Sequence, residues 1–75
     1  MQRIRVNNWS VRVRNDKVEF WYNEDGVPRF IARYFVETII EHGGRELKVD
    51  AGIPLWTAKD YEMVAIVGWL KGITK

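Results

Sequence analysis

The residues with the clearest chemical potential in this sequence are arginines that recur at every second position near its start. Arg3 and Arg5 lie in one such run, and Arg12 and Arg14 lie in the next. Residues two apart share one face of a β-strand, so each run would present two guanidinium groups on the same side. A guanidinium group is a planar fork of donors that suits phosphate oxygens and the edge of guanine. The spacing therefore indicates a surface for an anion with many charges.

Positive charge is also concentrated in this half of the chain. Residues 1–35 carry seven Lys+Arg and four Asp+Glu, a net +3, whereas residues 36–75 carry five and six, a net −1. A nucleic acid is the common partner that neutralises several arginines at once, and a tryptophan beside them can stack on a base. We therefore predict a small nucleic-acid-binding domain, with DNA favoured over RNA. The predicted contact residues are Arg3, Arg5, Arg12, Arg14, Lys17, Trp21, Arg29 and Arg33.

Groups that could perform catalysis are scarce. His42 is the only histidine and precedes Gly43-Gly44, where a histidine interacts favourably with the carbonyl groups at a helix end. Glu24-Asp25-Gly26 has the composition of a turn, and Ser10 and Thr57 have no histidine placed to activate them. No glycine pattern matches a phosphate-binding loop. We predict no catalytic residues and no enzymatic activity.

Composition excludes several other classes of protein. The 75 residues include no cysteine and one histidine, so neither a disulfide framework nor a Cys/His zinc site can be assembled. No apolar run approaches the roughly 18 residues of a membrane span, and the charged start MQRIRVNN differs from a signal peptide. We expect one compact cytoplasmic domain over residues 1–75, with no metal, cofactor or membrane partner and with self-association left open.

Three short runs of alternating hydrophobic residues predict an antiparallel meander. The runs are separated by Asn7-Asn8 and Asn15-Asp16, and asparagine tolerates the positive φ of two-residue hairpin turns. Both turns put the same apolar residues on one face, namely Ile4, Val6, Trp9, Val11, Val13, Val18, Phe20 and Tyr22. The other face receives Arg3, Arg5, Ser10, Arg12, Arg14, Lys17, Glu19 and Trp21.

Like charges meet across the strands in this register. Arg3 falls opposite Arg12, and Arg14 falls opposite Lys17, an arrangement that destabilises a sheet. A bound anion would relieve the repulsion. A meander followed by a helix is also similar, in topology only, to small domains that press such a sheet into the DNA major groove, although a fold does not fix a function.

The hydrophobic pattern of residues 28–42 fits both the period of a helix, about 3.6 residues, and the period of a strand, two residues. As a helix, the segment has Pro28 in its first turn, Gly43-Gly44 at its end, and charged residues four positions apart. As a strand, it is rich in β-branched and aromatic residues that alternate from Phe30 to Ile40. Arginines near its start and glutamates near its end oppose the helix dipole. We predict a helix over 28–42 and keep a strand as the alternative.

The last part of the chain predicts a short strand over 45–50 and a C-terminal helix over 58–71, with Thr57 as its N-terminal cap. The predicted fold class is therefore α+β.

Four tryptophans are many for a core of this size. Trp9 and Trp69 lie on apolar faces and are predicted core members, whereas Trp56 lies in a short apolar loop. Tryptophan is enriched at protein interfaces, which supports an alternative function as a protein-interaction module such as an inhibitor, an adaptor or a self-associating subunit. The residues of that alternative surface are Leu55, Trp56, Met63, Ile66, Val67 and Leu70.

Overall fold

A computed structural model describes residues 1–43 and 58–74 and shows an α+β fold. Its elements are β1 (Gln2–Val6), β2 (Trp9–Arg14), β3 (Lys17–Glu24), β4 (Val27–Phe35), α1 (Val36–His42) and α2 (Asp60–Ile73). The strands form one antiparallel sheet in the order β1-β2-β3-β4. The α+β class is confirmed, and the predicted strand 45–50 lies outside the described residues. The C-terminal helix is present as α2, but it begins at Asp60 with Lys59 at the N-cap position, so the predicted Thr57 cap was wrong.

The first two turns set the register of the sheet, as predicted. Asn7 and Asn15 adopt left-handed backbone conformations with φ of 53° and 56°. Arg3 pairs with Arg12 across β1 and β2, and Arg12 pairs with Glu19 across β2 and β3. Positive φ at the first turn position matches the twist of tight hairpins, and asparagine reaches it at little cost.

Residues 28–42 do not form one helix, so the prediction for residues 28–35 was wrong. The chain continues as β4 to Phe35 and becomes helical only at Val36. Pairing with β3 satisfies the backbone of the β-branched and aromatic residues, and tertiary pairing of this kind overrides the weak helical preference of the segment. The C-terminal half of the prediction is correct, because α1 ends at Gly43, whose φ is 64° and whose N–H donates to the Ile39 carbonyl.

The core lies between one face of the sheet, here called the inner face, and the two helices. Trp9 is 2% exposed and meets Phe20 and Tyr22 edge to face, at ring-centroid distances of 6.4 and 5.0 Å. Trp69 is partly buried against this core. The buried apolar residues are Trp9, Val11, Val13, Val18, Phe20, Ile31, Ala32, Val36, Ile39, Ala58, Met63, Ile66 and Leu70.

A buried carboxylate joins the sheet to the start of α2. Glu62 accepts a hydrogen bond from the Lys59 backbone N–H at 2.8 Å and another from Asn7 Nδ2 at 2.7 Å. The backbone donor, and then the Asn7 amide, hold the pKa of Glu62 below its ordinary value. The first hairpin turn is therefore tied to the helix by a charged group. Among the described residues, no helix is long and apolar enough to cross a membrane.

Candidate functional site

The face of the sheet opposite the core, here called the outer face, collects most of the predicted contact residues. Cross-strand partners share a face, so the pairing Arg3–Arg12–Glu19–Arg33 forms one row across all four strands. Arg14 and Lys17 form the next row, and Arg5 starts the row on the other side. The structure thus brings six predicted cations to one surface: Arg3, Arg5, Arg12, Arg14, Lys17 and Arg33.

Arg29 is placed away from that group. It is the partner of Tyr22, whose ring packs on Trp9 at the margin of the inner face. Its Nη1 lies 3.5 Å from Glu24 Oε2, and both side chains are more than half exposed. Arg29 is therefore a neutralised charge on the opposite side of the sheet from the other predicted cations.

Glu19, Trp21 and Arg12 form a packed centre on the outer face. The Arg12 guanidinium lies 4.6 Å above the Trp21 ring, and Trp21 Nε1 donates to Glu19 Oε1 at 3.2 Å. Glu19 Oε2 also lies 3.3 Å from Arg33 Nε. The Arg12 Nε atom is buried with no hydrogen-bond partner, and an unpaired buried donor costs about 1–3 kcal/mol. This centre holds the half-buried Arg12 over the Trp21 ring.

Apart from Arg33, the cations of the outer face form no ion pair within the described part of the chain. Neither ion pair found over residues 1–43 and 58–74 involves β1 or β2. Arg5 donates from Nε to the Asn7 backbone carbonyl at 3.1 Å, which leaves its charge uncompensated. Among the strand residues of this face, Glu19 is the single carboxylate, and it already pairs with Arg33. The unpaired set, here called the free cations, is Arg3, Arg5, Arg12, Arg14 and Lys17.

Two phenylalanines also lie on the outer face, and the sequence interpretation missed them. Phe30 is 41% exposed and Phe35 is 53% exposed. Phe30 meets Trp21 edge to face at 5.4 Å, and Lys17 Nζ lies 4.6 Å from the centre of the Phe35 ring. The interpretation of this segment as a helix hid both residues, because a helix gives them different neighbours.

A β-bulge explains why even the strand alternative did not find Phe30. The register shifts between Phe20 and Trp21, so that Phe20 pairs with Ala32 while Trp21 pairs with Phe30. Ile31 is left without a partner and is buried at 1% exposure. The extra residue moves Phe30 to the outer face, although simple alternation puts it beside Ala32.

Two depressions flank Arg12 on this surface. One has a volume of about 390 Å³ and is lined by four of the cations, Arg12, Arg14, Lys17 and Arg33, together with carboxylates of Asp16 and Glu19. The other has a volume of about 460 Å³ and is lined by Arg3, Arg5 and Arg12 with polar Ser10 and Asn23. Arg12 lies at the boundary of both, so the positive surface runs continuously across the strands.

The alternative protein-interaction residues occupy different surroundings. Met63, Ile66 and Leu70 are 7%, 0% and 0% exposed and belong to the core, and Val67 is partly buried against it. Leu55 and Trp56 lie outside the described residues. The solvent side of α2 is formed instead by residues such as Tyr61 and Val64, which are 59% and 71% exposed.

The groups considered for catalysis do not come together in the described residues. His42 is exposed at the end of α1, and Glu24 and Asp25 lie at the exposed third turn. Over the part of the chain that the structure describes, no three histidine or acidic residues are grouped closely enough to hold a metal ion.

No family model, no curated protein and no solved structure matches this chain. The interpretation of the outer face therefore depends on its own geometry and charge.

Proposed function

We propose that this chain is a small, non-enzymatic nucleic-acid-binding domain, with DNA as the favoured ligand, and that the outer face is its binding surface. The observation that carries the proposal is the set of free cations. Arg3, Arg5, Arg12, Arg14 and Lys17 share one side of three adjacent strands and form no ion pair with any carboxylate of the described residues.

Repulsion within the face supports an anionic ligand. Arg3 is directly opposite Arg12, and Arg14 is directly opposite Lys17. Like charges directly opposite one another destabilise a strand pair. Phosphate groups along a nucleic-acid backbone would neutralise several of these charges together, and the counterions they release would favour binding.

The shape of the face suits an extended ligand. The depressions on either side of Arg12 are both lined by arginines, and together they cross the sheet from β1 to β4. A small anion would occupy one depression, whereas a strand of phosphates can follow both. The planar fork of arginine also suits bidentate contacts to phosphate or to guanine edges.

Affinity measured as a function of salt concentration tests the proposal. Fluorescence anisotropy of a labelled oligonucleotide should show an affinity that falls steeply with salt, and the double substitution Arg12→Ala and Arg14→Ala should flatten the slope by about 0.9 for each phosphate contact removed. Arg29→Ala is the matched control, since it removes one arginine of the same sheet that is already paired with Glu24.

Two results would count against the proposal. One is the absence of binding at low ionic strength, and the other is an equal loss of slope in the Arg29→Ala control. The protein-interaction alternative gains no support from the described residues, because most of its helical residues are in the core.

A further inference from the structure

We infer that the outer face takes a single-stranded nucleic acid in preference to a duplex, with bases stacked on Phe30 and Phe35. This inference rests on the proposed function and specifies its substrate class. Its starting observation is that two aromatic rings are exposed on the same face that holds the free cations.

The exposed rings are of the kind that stacking requires. Phe30 and Phe35 are 41% and 53% exposed, whereas the ring of Phe20 on the inner face of the adjacent strand is 0% exposed. An aromatic side chain on an otherwise charged surface stacks on unpaired bases without regard to their sequence. In a duplex the flat faces of the bases are already stacked on each other, and exposing one costs a few kcal/mol.

The spacing of the two rings also favours a single strand. Phe30 and Phe35 belong to rows that are separated by the row of Arg12 and Glu19. Two steps of two residues along a strand correspond to about 13 Å. Successive stacked bases are about 3.4 Å apart, so the two rings would contact separate bases that are spread along the sheet, as a flexible single strand permits.

Cations lie between and beside the two rings. The Arg33 guanidinium is 6.0 Å from the centre of the Phe30 ring, and Lys17 Nζ is 4.6 Å from that of Phe35. Lysine has a flexible stem, so Lys17 can leave the ring for a phosphate when a base arrives. Phosphates would therefore find a positive charge next to each stacked base.

Trp21 has a supporting function in this arrangement. Arg12 covers its ring, and its indole N–H is engaged by Glu19. Its edge-to-face contact with Phe30 fixes the position of the exposed ring. Trp21, which the sequence predicted to stack on a base, therefore supports the exposed ring of Phe30 instead.

Anisotropy measurements with three labelled ligands of one sequence and length test the inference: single-stranded DNA, single-stranded RNA and duplex DNA. We expect the single strands to bind at least tenfold more tightly than the duplex. Phe30→Leu and Phe35→Leu should each weaken single-strand binding about tenfold, because leucine retains apolar bulk but lacks the ring, and the salt slope should be unchanged.

Tyr61→Leu is the matched control, since it removes an exposed aromatic ring from α2. Circular dichroism of each variant verifies that it is folded. Duplex binding that equals or exceeds single-strand binding, with the leucine variants unaffected, would overturn this inference and leave the proposed function intact. Binding to none of the three ligands at low salt would overturn both. Tight binding of single-stranded RNA alone would support the single-strand inference and overturn the preference for DNA.

Discussion

The two faces of one sheet have opposite properties in this protein. On the inner face Val11, Val18 and Phe20 are completely buried against the helices. On the outer face the same sheet presents arginines that repel each other and aromatic rings that remain exposed. Burial of apolar side chains on the inner face stabilises the fold, whereas charge repulsion on the outer face destabilises it slightly. Stability and the proposed ligand binding therefore depend on different residues of the same sheet, so substitutions can separate the two.

The largest expected difference between the two faces is in how much a substitution lowers the free energy of unfolding. Phe20→Ala removes a fully buried ring and should lower the free energy of unfolding by about 3–5 kcal/mol. Phe35→Ala, on the outer face, should change it by no more than about 0.5 kcal/mol. Urea denaturation followed by tryptophan fluorescence measures both. Similar losses in the two variants would show that the outer face is also part of the stabilising core.

A smaller effect concerns the hydrogen bonds of Glu62 that join the first hairpin turn to α2. The pKa of Glu62 is lower in the folded protein than in the unfolded chain, so its stabilising contribution is complete above the unfolded pKa, about 4.3. The contribution is lost as the pH falls through the lowered folded pKa. Glu62→Gln should destabilise the protein by about 2 kcal/mol at neutral pH, because hydrogen bonds to a charged group are the stronger ones.

Urea denaturation at a series of pH values measures the effect of Glu62. The difference between wild type and Glu62→Gln should shrink as the pH falls below about 4. A difference that stays constant across this range would mean that the carboxylate charge contributes nothing to the link.

The smallest expected effect is a gain in stability on the outer face. Arg14→Gln removes a charge that lies opposite Lys17 and should stabilise the free protein by a few tenths of a kcal/mol at low salt. High salt should erase the gain, since screening weakens the repulsion in both proteins. Thermal unfolding at two salt concentrations gives the comparison. A destabilised Arg14→Gln protein would contradict the view that this face is strained by its charges.

The register and the two faces of β1 to β3 could be predicted because local signals agreed. Asn7 and Asn15 fixed two tight turns, and either turn alone assigned Val11 to the inner face and Arg12 to the outer face. Strand periodicity is exact at two residues, so one correct turn determines the side of every residue in both strands.

The remainder depended on interactions that local patterns do not encode. The bulge opposite Phe20 breaks the alternation of β4 and relocates Phe30. Val36 and Ile39 are buried in α1, and their spacing also suited a longer helix. The Asn7 to Glu62 hydrogen bond joins residues 55 positions apart, a distance over which sequence periodicity gives no information.

Arg3 and Arg5 lie on β1, which is an edge strand of the sheet. In the described part of the chain this strand is paired on one side only, by β2. A free strand edge is a template on which another molecule can add, and charged side chains on a short edge strand discourage such growth. We therefore expect Arg3 and Arg5 to oppose edge-to-edge self-association as well, and replacing them to test the proposed ligand binding should lower the solubility of the protein.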